Sequence, residues 1–88
     1  MKVFFHKYFQ KRHTRIPEKI KDKFDIQLKI FYQNPYDERL NSHALHGKYS
    51  NHRSINVTGD IRAIYRKVST TTEDVIFVDI GLHGELYS

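Results

Sequence analysis

"RSINVTGDIRAIYRKVSTTTEDVIFVDI", residues 53–80, decides the fold. "RSINVT" (53–58) is rich in β-branched residues and reads as a strand. "GD" at 59–60 is a hairpin turn, although two-residue turns usually place Gly second, which leaves room for a longer loop. "IRAIYRKV" (61–68) is the returning strand, "STTTED" (69–74) a second turn and "VIFVDI" (75–80) a third strand. The apolar density of that last run predicts a central strand buried on both faces. The stretch is a three-stranded meander.

Working towards the N-terminus, "YDERLNSHALHGKYSNH" (36–52) is an irregular, histidine-bearing connection. Before it, "RIPEKIKDKFDIQLKIFYQNP" (15–35) spaces Ile16, Ile20, Phe24, Leu28 and Phe31 as a helix does. Phe24, Ile26, Leu28 and Ile30 also alternate at strand spacing, but the length, the Lys/Glu density and Pro17 favour a helix. Pro17 fits the first turn, where its missing N–H is harmless, and Asn34-Pro35 stops the helix. "HKYFQKRH" (6–13) is compatible with a short helix, and "KVFF" (2–5) with a short strand or a lead-in to that helix. The expected architecture is α+β: two N-terminal helices packed on one face of a small, mostly antiparallel, twisted sheet. Residues 1–88 are expected to form one domain, with no linker or repeat.

Fifteen Lys and Arg stand against ten Asp and Glu, a formal net charge of +5. That balance favours an anionic partner, most simply nucleic acid or an acidic protein. There are no cysteines, so disulfides, thiolate zinc sites and a cysteine nucleophile are excluded. The composition fits a reducing cytosol. "MKVFF" is too short an apolar run for a signal peptide, and no stretch approaches the ~20 apolar residues of a membrane span. An 88-residue chain has little room for a deep cavity, so an open concave face is the expected working surface.

A sheet covered by helices on one side leaves its other side free. Lys48, Arg53, Asn56, Asp60, Arg62 and Arg66 are candidates for that free face. His43 joins them from the preceding loop, and His83 and Tyr87 from the chain end. Cleavage of RNA by its own 2′-OH needs such groups. A base removes the hydroxyl proton, an acid protonates the departing 5′ oxygen, and a cation steadies the phosphoryl charge. Histidine titrates near neutrality and serves as either acid or base. Arginine grips two phosphoryl oxygens in one planar fork, and tyrosine stacks on a base. Each residue also has a plainer reading: the histidines as loop residues, Arg62 as a solvated strand residue, Asp60 as a turn former and Tyr87 as a core plug. "HALH" sets His43 and His46 three apart, but without Cys or a clear carboxylate companion it is not read as a metal site. His6, His13 and His52 receive no role.

In the second half of the chain, a recognisable pattern runs through His43, Leu45 and Gly47; Arg53 and Ser54; Gly59, Asp60, Arg62, Ile64 and Tyr65; and Gly81, His83 and Tyr87. With these residues the chain resembles the RelE/ParE superfamily of bacterial toxins, and within it the YafQ-like branch. The resemblance implies a ribosome-dependent, metal-independent messenger-RNA endonuclease that needs no cofactor and leaves a cyclic phosphate. It assigns acid–base work to His43, Asp60 and His83, transition-state support to Arg62, and the C-terminal aromatic role to Tyr87. It also implies a cytoplasmic toxin neutralised by a cognate antitoxin, acidic and partly disordered when free. The lysines at 19, 21, 23 and 29 serve such a partner or ribosomal RNA equally well. Some relatives have histidine where this chain has Asn56, arginine in place of Asp79 and tryptophan in place of Ile61. An amide cannot transfer histidine's proton and an aspartate cannot neutralise phosphate, so Arg53 or Arg62 would carry more of that charge. Two other readings stay open: a ParE-like toxin that binds DNA gyrase, and a non-catalytic RNA- or protein-binding member of the same fold.

Overall fold

The computed structural model describes residues 1–86. Five strands and three helices follow in the order β1 (Val3–Phe5), α1 (Lys7–His13), α2 (Glu18–Gln33), β2 (His43–Ala44), β3 (His52–Asn56), β4 (Ile61–Lys67), β5 (Val75–Leu82) and α3 (His83–Leu86). The strands form one sheet in the order β1-β5-β4-β3-β2. β1 runs parallel to β5, and the other pairs are antiparallel.

The meander therefore forms as its sequence predicts, and "KVFF" supplies an edge strand. β5 lies between β1 and β4, which accounts for its apolar density. The turn after β3 is longer than two residues. Thr58 organises it, its Oγ1 accepting the N–H groups of Asp60 (3.2 Å) and Ile61 (3.0 Å). The connection expected to be irregular contains the short strand β2 and two 3₁₀ turns, Glu38–Leu40 and Gly47–Tyr49.

The helix reading of residues 18–33 holds because only helical spacing buries Phe24 and Phe31 together. Ile26, which the strand pattern would have buried, is 58% exposed. Pro17 is the N-cap itself, its carbonyl accepting from Ile20 N (2.9 Å) and Lys21 N (3.1 Å). In α1, His6 acts as N-cap, with Nδ1 accepting the Tyr8 N–H at 3.0 Å.

Both helices pack on the same side of the sheet. Phe9 from α1 and Phe24 and Phe31 from α2 meet Ile55, Val57, Ala63, Tyr65, Val75, Phe77 and Ile80. Phe77 is the centre: its ring lies 5.4–5.9 Å from those of Phe5, Phe9, Phe24, Phe31 and Tyr65. The β4–β5 register shifts between Ile64 and Tyr65, with Tyr65 facing Phe77 and Ile64 facing Asp79. That bulge sets Asp79, two residues after a core phenylalanine, on the opposite face.

Candidate active site

Strand alternation settles which side chains share the helix-free face. Ser54, Asn56, Arg62 and Ile64 lie there, with Asp79 and Gly81 of β5 opposite Ile64 and Arg62. His43, paired with Ser54, joins them from β2, and His52 and Arg66 face each other further down.

One end of this face gathers three of the expected residues. The His83 N–H donates to the Asp60 carbonyl at 3.0 Å, so the turn after β3 and the exit from β5 are joined. Asp60 and His83 are exposed and line one shallow depression with Leu82, Gly84 and Glu85. Arg62 stands beside it, between Asn56 on β3 and Gly81 on β5. Its Nη1 donates to the carbonyls of Thr58 (3.1 Å) and Gly59 (2.8 Å), which fastens the Asp60 turn. Arg62 Nε, Asn56 Oδ1 and Ser54 Oγ are buried with no hydrogen-bond partner among the described residues. An unmet buried polar group costs about 1–3 kcal/mol, so such groups on neighbouring strands of an open face are suited to a polar ligand.

His43 stands apart from His83. β2 and β5 are separated by three strand spacings, roughly 14 Å at the backbone, and His83 lies further along the sheet. The two histidines do not approach each other directly, because β2 is the far edge strand. His43 is nevertheless fixed: Nδ1 lies 3.0 Å from the Asn41 carbonyl. A carbonyl can only accept, so Nδ1 carries the proton, and the neutral ring presents Nε2 as an acceptor. Asn41 has φ of 47°, a left-handed conformation that asparagine tolerates well.

The 3₁₀ turn Gly47–Tyr49 folds over the lower part of the face. Tyr49 reaches from the β2–β3 connection to β5, its hydroxyl donating to Asp79 Oδ2 at 3.1 Å. Lys48 lies 5.4 Å from the Tyr49 ring. His6, Tyr8, His52 and Arg66 line the same hollow. Asp79, only 5% exposed, thus has an internal role: Oδ1 accepts from its neighbour Ile80 N (2.8 Å) and lies 3.5 Å from Arg12 Nε.

The Tyr49 phenol is pushed up to about 12, first by burial and then by the Asp79 carboxylate. The folded value lies above the ordinary ~10. The stabilisation from the neutral phenol is therefore whole below pH ~10 and is lost as the pH rises through the folded value. Tyr49→Phe is expected to flatten the alkaline limb of a stability–pH curve. Urea midpoints measured from pH ~8 upward check this, and an unchanged limb would contradict it.

Arg53 does not belong to this face. It pairs with Tyr65 in the row of Ile55 and so turns to the helix side. There its Nε donates to Ser42 Oγ at 3.0 Å, and its guanidinium covers the Tyr36 ring at 5.2 Å. Burial raises the pKa of the Tyr65 phenol beside it, and Ser42 and Arg53 oppose that rise. The error is one of parity: a shift of one position exchanges the faces of a strand. Tyr87 lies outside the described residues. Among those described, no group of three His, Asp or Glu side chains is arranged to hold a metal ion, and no helix is long and apolar enough to cross a membrane.

A family model described as the bacterial toxin of the type II toxin-antitoxin system, YafQ, matches residues 1–88. The chain belongs to the YafQ family. The fold is likewise that of E. coli YafQ (TM-score 0.79, 17% identity, covering 98% of this chain and 97% of that one). It is also similar to a chain in the E. coli DinJ–YafQ toxin-antitoxin complex (0.76, 18%, covering 98% and 96%). A third similar chain comes from the Mycobacterium tuberculosis toxin-antitoxin complex RelBE2 (0.72, 16%, covering 93% and 96%). No curated protein matches the sequence.

In this YafQ-family toxin, sequence reasoning missed Arg12, Tyr49 and His52 on or beside the open face. Arg12 and Tyr49 carry no sequence signal, since each is joined to Asp79 only by the fold. His52 was legible in principle, as the alternate of Ser54 and Asn56 on the same strand.

Proposed function

We propose that the chain is a cytoplasmic, metal-independent endoribonuclease that cuts messenger RNA on the ribosome and thereby stops translation. The observation that carries this reading is the meeting of Asp60, Arg62 and His83 at one end of an open sheet face in a YafQ-family chain. His43 Nε2 takes the proton of a ribose 2′-OH, and the 2′ oxygen attacks the adjacent phosphorus. The bond from phosphorus to the 5′ oxygen breaks, and the charged His83 ring protonates that oxygen. The products are a 2′,3′-cyclic phosphate and a 5′-hydroxyl. Arg62 and Asn56 lie between the two histidines, where the guanidinium and the amide N–H groups face the phosphoryl oxygens. Asp60 orients His83, while Lys48 and Arg66 hold the RNA backbone along the lower hollow. The RNA spans the separation between His43 and His83, so the two need not touch.

The protein's partner is a cognate antitoxin, as in the DinJ–YafQ and RelBE2 complexes. The net charge of +5 suits an acidic chain wrapped on the lysine-bearing face of α2. A binding-only reading draws support from one observation: Arg62 Nη1 is already engaged by two turn carbonyls.

Primer extension on a message bound to programmed ribosomes tests the proposal, with antitoxin-free protein and ribosome-free RNA as the control. A new stop in the ribosomal A site that requires ribosomes supports it. Intact message with well-folded protein overturns it, and inhibited gyrase supercoiling in a parallel assay would then favour the gyrase-binding reading.

A further inference from the structure

Arg12 makes polar contacts that nothing in the reaction described above uses. It projects from the last turn of α1 onto the free edge of β5, with its side chain 28% exposed. Its Nε donates to the Ile80 carbonyl at 3.3 Å and lies 3.5 Å from Asp79 Oδ1. Its Nη2 lies 3.7 Å from Glu85 Oε1, and that same oxygen accepts the Leu82 N–H at 3.1 Å. Glu85 thus reaches back over the start of α3, as the acidic member of a capping box does. Gly81 lies beneath the guanidinium, where any side chain would meet Arg12 Nη2. One planar fork therefore touches the strand before His83 and the carboxylate just after it.

We propose that Arg12 is a positioning residue, a clamp that ties the end of β5 to the closing turn and so fixes His83 against the Asp60 turn. The inference rests on the endoribonuclease reading for its consequence but not for the clamp itself. His83 is exposed, and the four described residues of α3 make a single turn, which has little cooperative stability of its own. Buried Leu86 anchors the far end of that turn, and Arg12 anchors the near end. A lysine could meet one of these acceptors as a point charge but could not span them. The glycine at position 81 leaves space for this guanidinium, whereas Gly84 has nothing within 4 Å and no such requirement.

Amide exchange and a double-mutant cycle test the clamp. In Arg12→Ala, the Leu82 and His83 amides are expected to exchange at least about tenfold faster, while those of Ala63 and Phe77 keep their protection. The turnover number for cleavage is expected to fall roughly 10- to 100-fold with KM unchanged, the scale of a displaced catalytic group. In a His83→Ala background, Arg12→Ala is expected to cost nothing further, because Arg12 acts only through His83. Arg12→Lys should behave like Arg12→Ala. Gly81→Ala, which displaces the guanidinium and leaves Arg12 in place, should reproduce the exchange result and decides the question if Arg12→Ala does not fold. Unchanged exchange at Leu82 and His83 overturns the clamp, and full additivity of the two losses overturns its action through His83. If wild-type protein cleaves no message, the endoribonuclease reading fails, and the exchange measurements alone decide the clamp.

Discussion

Replacing His83 with alanine is expected to slow message cleavage by roughly 10²–10⁴-fold, the usual contribution of one positioned proton transfer. The fold is expected to survive, because the tie between His83 and the Asp60 turn is a backbone one, from His83 N to Asp60 O at 3.0 Å. Alanine also suits the helical turn that begins there. Substitutions at exposed positions of this kind usually move stability by less than about 0.5 kcal/mol. Antitoxin binding by the purified variant provides a second check on folding. His43→Ala is expected to cost a similar factor. The two variants should differ in their pH–rate profiles, each losing the limb that its histidine supplies. Single-turnover cleavage on programmed ribosomes measures the effect, and activity retained within a few-fold in either variant would remove that histidine from the mechanism.

Phe77→Ala is expected to destabilise the protein by about 3–5 kcal/mol, the range for deleting a fully buried phenylalanine. Small domains typically have only about 5–15 kcal/mol in total. Phe77 is 0% exposed, and its ring touches rings of β1, α1, α2 and β4 together. Its loss leaves a cavity where all these elements converge, so neighbouring side chains cannot fill it by moving one element. Urea unfolding followed by circular dichroism reads the change. A loss below about 1 kcal/mol would show that the aromatic cluster is not the keystone of the core. Phe77→Leu, which retains much of the volume, is expected to cost clearly less.

The elements of the fold were legible because their periods were strong. The meander showed itself in β-branched runs separated by turns, and α2 in the spacing of Phe24, Leu28 and Phe31. The parallel pairing of β1 with β5 was not legible, since it joins residues some seventy positions apart and turns on a three-residue strand. Strand β2 was hidden inside a loop because two residues carry no period. At the site, Asp60 and His83 do meet, and Asn56, Arg62 and Arg66 do share the open face. Arg53 was misplaced because its strand was read for composition without fixing its parity against Ile55. Asp79 looked in sequence like a lost cation. In the fold it is a buried acceptor for Tyr49 and a partner for Arg12, which brings a guanidinium to the same strand from a different element.

In the proposed reaction the ribose 2′-OH of the message is the nucleophile and protein side chains alone move the protons. This is tested on programmed ribosomes carrying two messages that differ only by one 2′-deoxy substitution at the mapped cleavage codon, both assayed in the Mg²⁺ that keeps the ribosomes assembled. The all-ribose message is expected to be cut to a 2′,3′-cyclic phosphate and a 5′-hydroxyl, and the 2′-deoxy message to stay whole. Cleavage of the 2′-deoxy message, or an all-ribose product that carries a 5′-phosphate, would contradict this.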